Sequence, residues 1–180
     1  MTGERQPAPI VVMGVAAAGK STVGRALAAR LGAAFIDADD LHSEANRAKM
    51  QSGTPLDDDD RWPWLDTVGA VLAGPRDAAS VVVACSALRQ RYRDRLRTHA
   101  PATRFVHLDA APRVLGDRAR ARTGHFMPPE LLASQLATLE PLVPGEPGCR
   151  VDVDAPIDEV VAMALAGLAE TDSGVERVGG

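Results

Sequence analysis

The sequence predicts a three-layer α/β fold, in which one five-stranded parallel sheet carries helices on both faces. Short apolar runs alternate with longer helical patterns along the chain. Most of these runs are apolar throughout, as strands buried on both faces are. The 180 residues, 46% of them hydrophobic, are enough for one core. A net charge of −4 gives no general attraction to nucleic acid or to anionic membrane.

The predicted strands are short and rich in β-forming residues. They are residues 10–13, 34–36, 81–84, 105–108 and 151–153. The predicted helices are residues 21–31, 41–51, 61–72, 88–98, 111–122, 129–139 and 157–169. We expect a single domain over 10–170, with a flexible leader (1–9) and a flexible tail (171–180), because neither end has the apolar content to order itself.

Cysteine content and hydropathy bear on the compartment. Cys85 and Cys149 are the two cysteines, fewer than a disulfide-rich secreted domain carries. The apolar stretch at 10–18 has no clearly basic segment before it, unlike a signal peptide. No run approaches the 20 or so apolar residues of a membrane span. We therefore expect a cytoplasmic protein.

A glycine-rich motif follows the first predicted strand. The segment GVAAAGKS at 14–21 matches G-x-x-x-x-G-K-[ST] and leads into a helical pattern. Its backbone N–H groups and the helix start would form an anion site. Lys20 would reach the β- and γ-phosphates, and Ser21 would bind Mg²⁺. The motif predicts nucleoside triphosphate binding, but it does not separate a kinase from an ATPase, a GTPase or a switch.

Three carboxylates follow the second predicted strand, at Asp37, Asp39 and Asp40. Ligands of open α/β sheets bind at such strand ends. One acid would hold Mg²⁺ and another would accept a hydroxyl proton. The alternative is a helix cap with acids in its first turn, which we favour for Asp40.

The next predicted helix places His42, Asn46 and Lys49 on one face. Such a stripe suits a substrate that is rich in hydroxyls and carries a negative group. The alternative is a solvated face.

Polar residues also follow the third predicted strand. Ser86 and Arg89 lie at its end, where Arg89 could form a forked pair with a carboxylate. Cys85 is interpreted as a small buried residue. Arginines alternate further along and predict a solvated, ion-paired helix; they are Arg91, Arg93, Arg95 and Arg97.

A glycine- and proline-containing loop at about 122–129 follows Arg118, Arg120 and Arg122. It is typical of a lid whose arginines stabilise charge on a transferring phosphoryl group. For Arg120 an exposed helix end is the favoured interpretation.

Four segments carry a resemblance to a known family: FIDADDLH, NRAKMQSGTPLDDDDRWPWL, VVACSALRQRYRDRLR and RTGHFMPPELLASQLATLE. In them the chain resembles the gluconokinase family of P-loop kinases, over about residues 10–169. The resemblance implies ATP- and Mg²⁺-dependent phosphorylation of D-gluconate to 6-phosphogluconate. It also implies an adenylate-kinase-like sheet of five parallel strands and a homodimer.

The motifs above and the resemblance together assign roles to residues of this chain. Lys20, Asp39 and Arg122 are expected in catalysis, and Ser21 and Asp37 at the metal. Nucleotide contacts would come from Gly14, Val15, Ala16, Ala17, Ala18, Gly19, Lys20, Ser21, Thr22, Arg118, Asp154, Ala155 and Pro156. Gluconate contacts would come from Asp39, His42, Asn46, Lys49, Arg61, Ser86, Arg89 and His125.

One segment departs from the family pattern. Ala16-Ala17-Ala18 stands where the family usually has Ser/Thr-Gly-Ser/Ala, so the loop loses a glycine and hydroxyl contacts. Shikimate kinase is the alternative among kinases. It usually has three glycines after the third strand, where this chain has Cys85-Ser86-Ala87. A non-catalytic nucleotide-binding module would be expected to lack the lysine or the acids.

Overall fold

The structure, a computed structural model, describes residues 7–74, 80–121 and 129–175. Its strands are β1 (Ile10–Met13), β2 (Ala34–Asp37), β3 (Val81–Ala84), β4 (Arg104–Asp109) and β5 (Gly148–Asp152). Within the described residues they form one parallel sheet in the order β2-β3-β1-β4-β5. The predicted five-stranded parallel sheet is confirmed.

Helices connect the strands on both faces of the sheet. They are α1 (Lys20–Leu31), α2 (Glu44–Gln51), α3 (Asp58–Ala73), α4 (Gln90–His99), α5 (Pro112–Ala121), α6 (Pro129–Thr138) and α7 (Ile157–Val175), with a 3-10 turn at Ala38–Leu41. Each helix in the described part of the chain is too short or too polar to cross a membrane.

Strand β1 shows why the predicted strands do not alternate between apolar and polar residues. Ile10 and Val12 pack into a core with residues of α1 and α7. Val11 and Met13 face the other way, into a core with residues of α3 and α4. All four are buried, so each position is apolar whichever face it serves.

The prediction of a helix over 41–51 is wrong at its start. Helix α2 begins only at Glu44, because the Ser43 hydroxyl caps it by accepting a hydrogen bond from the Asn46 N–H (3.1 Å). His42 therefore precedes the helix, at the end of the 3-10 turn. His42, Asn46 and Lys49 do not share one helical face.

The predicted boundaries at the two ends also differ from the structure. Helix α7 runs through Val175, so the flexible tail does not begin at 171. Thr171 lies within this helix, and its hydroxyl donates to the Gly167 carbonyl (2.8 Å). At the other end the Ala8 and Pro9 carbonyls accept hydrogen bonds from the chain, so the leader as predicted is too long.

The prediction of a wholly solvated arginine helix is wrong for Arg93. Its side chain is fully buried and donates to the Glu146 carboxylate at 2.6 and 2.8 Å. Further donors reach the carbonyls of Ala87 and Glu140. A buried guanidinium persists only with such partners. Arg93 thereby fastens the segment after α6 to α4.

Candidate active site

The glycine-rich motif forms the loop between β1 and α1. A Cβ atom on Gly14 would lie 2.8 Å from the Leu108 carbonyl oxygen, which explains that glycine. Gly19 caps α1 at φ 90°, and Ala17 also lies in the left-handed region at φ 64°. No side chain caps the start of α1. Its N–H groups and positive dipole are therefore suited to bind phosphate.

Two side chains of the loop lie where a triphosphate and its metal would bind. The Lys20 ammonium donates to the Val15 carbonyl oxygen at 3.1 Å. The Ser21 hydroxyl donates to Asp37 Oδ2 at 2.6 Å, which joins the loop to the end of β2. Mg²⁺ commonly takes few protein ligands and completes its shell with water and phosphate oxygens. The Ser21–Asp37 pair fits such an ion.

The acids after β2 divide their roles differently from the prediction. Asp37, rather than Asp40, caps the 3-10 turn, because its Oδ1 accepts the Asp39 N–H at 3.2 Å. Asp40 is exposed and lies in the first turn. Desolvation by surrounding protein atoms and the negative charge of Asp37 raise the pKa of Asp39, although the positive charge of Lys20 opposes this shift. Asp39 is thus a carboxyl beside the phosphate loop with elevated proton affinity.

His42 is held inside the protein rather than on an open stripe. Its ring stacks on Trp64, with centroids 4.3 Å apart and planes 13° apart. Its Nδ1 lies 3.5 Å from Asn46 Nδ2. Burial lowers the pKa of His42, so the ring is neutral at pH 7. Trp64 is fixed in turn by donating its Nε1–H to the Ala38 carbonyl at 2.8 Å.

Lys49 joins α2 to α3. Its ammonium lies 2.7 Å from both carboxylate oxygens of Asp60. The hydrogen bond raises the pKa of Lys49 and lowers that of Asp60. Asn46 adds a bond from Nδ2 to the Asp60 carbonyl oxygen at 2.9 Å. Sequence reasoning missed Asp60, whose carboxylate also completes a reciprocal cap with Asp57 at the start of α3.

The predicted carboxylate-binding arginines lie near α3 and α4. Arg61 donates to the Tyr92 hydroxyl at 3.4 Å, and that hydroxyl donates to Asp58 at 2.5 Å. Arg89 is half-buried and immediately precedes α4. Sequence reasoning missed Tyr92 as a support for Arg61.

The end of β3 lies beside the phosphate loop, as predicted for Ser86. The Ser86 carbonyl accepts the Gly14 N–H at 3.3 Å. The neighbouring Cys85 is buried, and burial raises the pKa of its thiol to about 12. The thiol therefore stays protonated at neutral pH, in agreement with its interpretation as a small buried residue.

A cavity of about 310 Å³ opens on the other side of the phosphate loop. It is lined by Ala17, Ala18, Gly19, Thr22, Val23, Arg118, Val153, Ala155, Ile157 and Val160. The Arg118 Nη2 donates to the Val153 carbonyl at 2.6 Å, which fixes the guanidinium at the β5–α7 loop. Asp154 and Pro156 flank Ala155 in the same loop. The apolar spacing of α7 did not reveal this role of Ile157 and Val160, since helical periodicity does not distinguish a core position from a cavity lining.

Two predicted site residues and the predicted lid cannot be placed. Arg122, His125 and residues 122–128 lie outside the described residues. Sequence reasoning also missed Gln135, whose side chain contacts the phosphate loop from α6.

Comparisons with known proteins agree with this geometry. A family model described as an AAA domain matches residues 10–142. A probable gluconokinase of Rattus norvegicus is 44% identical over 183 residues, covering 90% of this chain and 98% of its own. The gluconokinase of Gluconobacter oxydans is 46% identical over 159 residues, 87% of this chain and 88% of its own. A crystal structure of a gluconokinase from Sinorhizobium meliloti superposes with a TM-score of 0.87 at 47% identity, covering 98% of this chain and all of that chain.

A shikimate kinase from Aquifex aeolicus shares the fold alone. It superposes over 96% of this chain with a TM-score of 0.51, and its identity is 16%. The comparison confirms the P-loop kinase fold and lends no support to shikimate as the acceptor.

Proposed function

The chain belongs to the gluconokinase family of P-loop kinases, and from that membership we propose that it transfers the terminal phosphoryl group of ATP to D-gluconate, giving 6-phospho-D-gluconate and ADP. The observation that carries the proposal is the 2.6 Å bond from Ser21 to Asp37. It brings the loop that binds a nucleotide against the acidic strand end where an acceptor hydroxyl would lie.

The donor side is built from the phosphate loop and the β5–α7 loop. The N–H groups of Gly14 and Ala16 are bonded to Ser86 and Gln135, so other backbone N–H groups within residues 14–22 and the start of α1 hold the phosphates, and Lys20 reaches the terminal ones. Arg118 and residues 154–156 enclose the purine in the cavity beside the loop. Ser21 and Asp37 would hold Mg²⁺, which supplies charge neutralisation on the phosphate oxygens.

On the acceptor side Asp39 orients the gluconate hydroxyl and takes its proton late in the transfer, because phosphoryl transfer has a loose transition state. The raised pKa of Asp39 suits a group that must hold that proton. His42, Asn46, Lys49, Arg61, Ser86 and Arg89 contribute contacts to the hydroxyls and the carboxylate of gluconate. We assign Arg122 to the migrating charge and His125 to gluconate, on a lid at about 122–129.

Assembly and compartment complete the proposal. We propose a homodimer in the cytoplasm, with one kinase domain per chain. Light scattering at micromolar concentration tests the assembly, and a mass equal to one chain would overturn it. Fractionation of cells expressing the protein tests the compartment, and enrichment in the membrane fraction would overturn that.

A coupled ADP-release assay tests the reaction. With MgATP in excess we expect kcat/KM for D-gluconate to exceed that for D-glucose by at least about a hundredfold, since a site with charged partners strongly rejects an acceptor that lacks a carboxylate. Shikimate does carry a carboxylate, but its hydroxyls are fixed on a ring, so we expect it to be a poorer acceptor than gluconate as well. Mass spectrometry of the product should show one added phosphoryl group. Equal or better turnover of shikimate or glucose would overturn the proposal.

A further inference from the structure

A glutamine outside the motif contacts the phosphate loop. The Gln135 Oε1 accepts the Ala16 N–H at 2.7 Å, across 119 residues of sequence. Because a backbone N–H can only donate, the oxygen of the carboxamide must be the atom that faces the loop. The orientation of the side chain is thereby defined.

Packing of α6 holds Gln135 in that position. Leu132 is buried, and Leu136 and Leu139 pack against the same core as α1 and α7. After the helix, the Glu140 N–H donates to the Leu88 carbonyl at 2.7 Å. Gln135 therefore projects from an element that is anchored at once to the core and to the start of α4.

The contact lies at the end of the loop that Lys20 serves. The Lys20 ammonium meets the carbonyl of Val15, and Gln135 meets the N–H of the next residue, Ala16. These two atoms belong to one trans peptide and point in opposite directions, so the two side chains approach that peptide from opposite sides. Lysine in this motif reaches the β- and γ-phosphates. Gln135 therefore lies one peptide unit away from the ammonium that serves the terminal phosphates, and it is not among the residues that line the purine cavity.

The carboxamide nitrogen of Gln135 carries two N–H donors that the contact with Ala16 does not use. The carboxamide oxygen is used by Ala16, while the Nε2 group of the same planar unit makes no hydrogen bond to the described part of the chain. Two N–H donors that are fixed beside a phosphate site can bind oxygens on which charge develops, without reorganising during the reaction.

We propose that Gln135 is a further catalytic residue, whose Oε1 stays on the Ala16 N–H while its Nε2 donates to the terminal phosphoryl group of the bound nucleotide. The proposal rests on the proposed phosphoryl transfer, but it concerns the donor alone and is independent of the acceptor. It makes α6 part of the catalytic apparatus.

Calorimetric binding of two nucleotides tests the proposal without turnover. Gln135→Met keeps the length of the side chain and removes both polar groups. We expect the affinity for a non-hydrolysable ATP analogue to fall about tenfold, as for one hydrogen bond to a charged group. The affinity for ADP, which lacks the terminal group, should change less than about twofold. Gln51→Met, at the exposed end of α2, is the matched control and should change neither.

Gln135→Glu sharpens the test, because it keeps an oxygen for the Ala16 N–H and replaces the donors by a charge. We expect an unchanged melting temperature, a larger loss of analogue affinity than in Gln135→Met, and a kcat at least about tenfold lower.

Two outcomes would show a structural role and overturn the proposal. One is an equal loss of affinity for both nucleotides, and the other is a lower melting temperature in Gln135→Glu with no selective loss of analogue affinity. Tighter analogue binding in Gln135→Met would also overturn it, since the glutamine would then compete with phosphate. If gluconate proved not to be the acceptor, a selective loss of analogue affinity would still support the role of Gln135.

Discussion

The two halves of the site are built in different ways. The phosphate loop (residues 14–21) is one contiguous segment, and its shape is carried by backbone angles and N–H groups. The acceptor region (residues 37–64) is held by side chains on one another: His42 on Trp64, and Lys49 on Asp60. The loop should therefore respond most to changes of charge and backbone freedom, and the acceptor region to loss of a supporting side chain.

The largest effect is expected at Lys20. Lys20→Met keeps the side-chain length but removes the charge that faces the migrating phosphoryl group. We expect kcat to fall ~10³-fold or more, by analogy with other lost charge-stabilising groups. The measurement is steady-state turnover of gluconate at saturating MgATP.

Lys49→Met is the matched control, since Lys20 and Lys49 are the two lysines of the chain. Lys49 pairs with Asp60, so its loss should act mainly on KM for gluconate. Near-normal turnover of folded Lys20→Met would remove the loop from the chemistry. If Lys49→Met lowered kcat as much as Lys20→Met does, the proposed difference between the two halves of the site would be wrong.

Asp39 comes second, because it lies where the two halves meet. Asp39→Asn should lower kcat by ~10²–10⁴-fold, the usual effect of losing a positioned acid or base, while affinity for ATP survives. The pKa of Asp39 is raised, so activity that needs its carboxylate is lost at a higher pH than for an ordinary carboxyl as the pH falls. The acid limb of kcat/KM should therefore disappear in the variant.

The neighbouring acids separate the roles. Asp40→Asn should leave kcat within about threefold, since its exposed side chain adds at most a weak dipole interaction to the turn. Asp37→Asn should raise the Mg²⁺ requirement while the turn stays capped, because Asn caps as well as Asp. If Asp40→Asn abolishes turnover and Asp39→Asn does not, the assignment is wrong by one residue.

The same contrast explains how much could be predicted. The strands were predictable because residues such as Val11 and Val12 are buried on opposite faces, which leaves a continuous apolar run. The phosphate loop was predictable because its chemistry is contiguous. The partners of the acceptor region were not predictable, since the Trp64 Nε1–H donates to the Ala38 carbonyl 26 residues away. Nor was the contact that Gln135 makes with the phosphate loop at Ala16, which spans 119 residues. No local pattern encodes such contacts.

A smaller effect is expected at Trp64. Trp64→Phe keeps an aromatic ring for His42 but leaves the buried Ala38 carbonyl without its donor, which should lower the free energy of unfolding by ~1–3 kcal/mol. The turn that carries Asp39 loosens, so KM for gluconate should rise while KM for ATP does not. Denaturant titration and steady-state kinetics measure the two effects.

Trp62→Phe is its control. Trp62 meets the edge of the Tyr92 ring and makes no N–H hydrogen bond to the residues that the structure describes. The loss of stability should be smaller than in Trp64→Phe. Each variant also keeps one tryptophan as a fluorescence reporter. If both variants lost the same free energy of unfolding, the hydrogen bond from Trp64 to the Ala38 carbonyl would make no additional contribution to stability.

The smallest effect is expected at Ala17 and concerns backbone strain in the loop. An L-residue at φ 64° carries a conformational cost that glycine escapes, but glycine also has more freedom to lose on folding. The net gain for Ala17→Gly should be ~0.5–1 kcal/mol in the free energy of unfolding. Ala18→Gly is the matched control and should destabilise, because it removes a buried methyl group where no left-handed angle is required. Gains of equal sign in both variants would mean that the loop stores no strain at Ala17. A gain at Ala17 with unchanged KM for ATP would show instead that the loop binds phosphate through its N–H groups whether or not a side chain is present at this position.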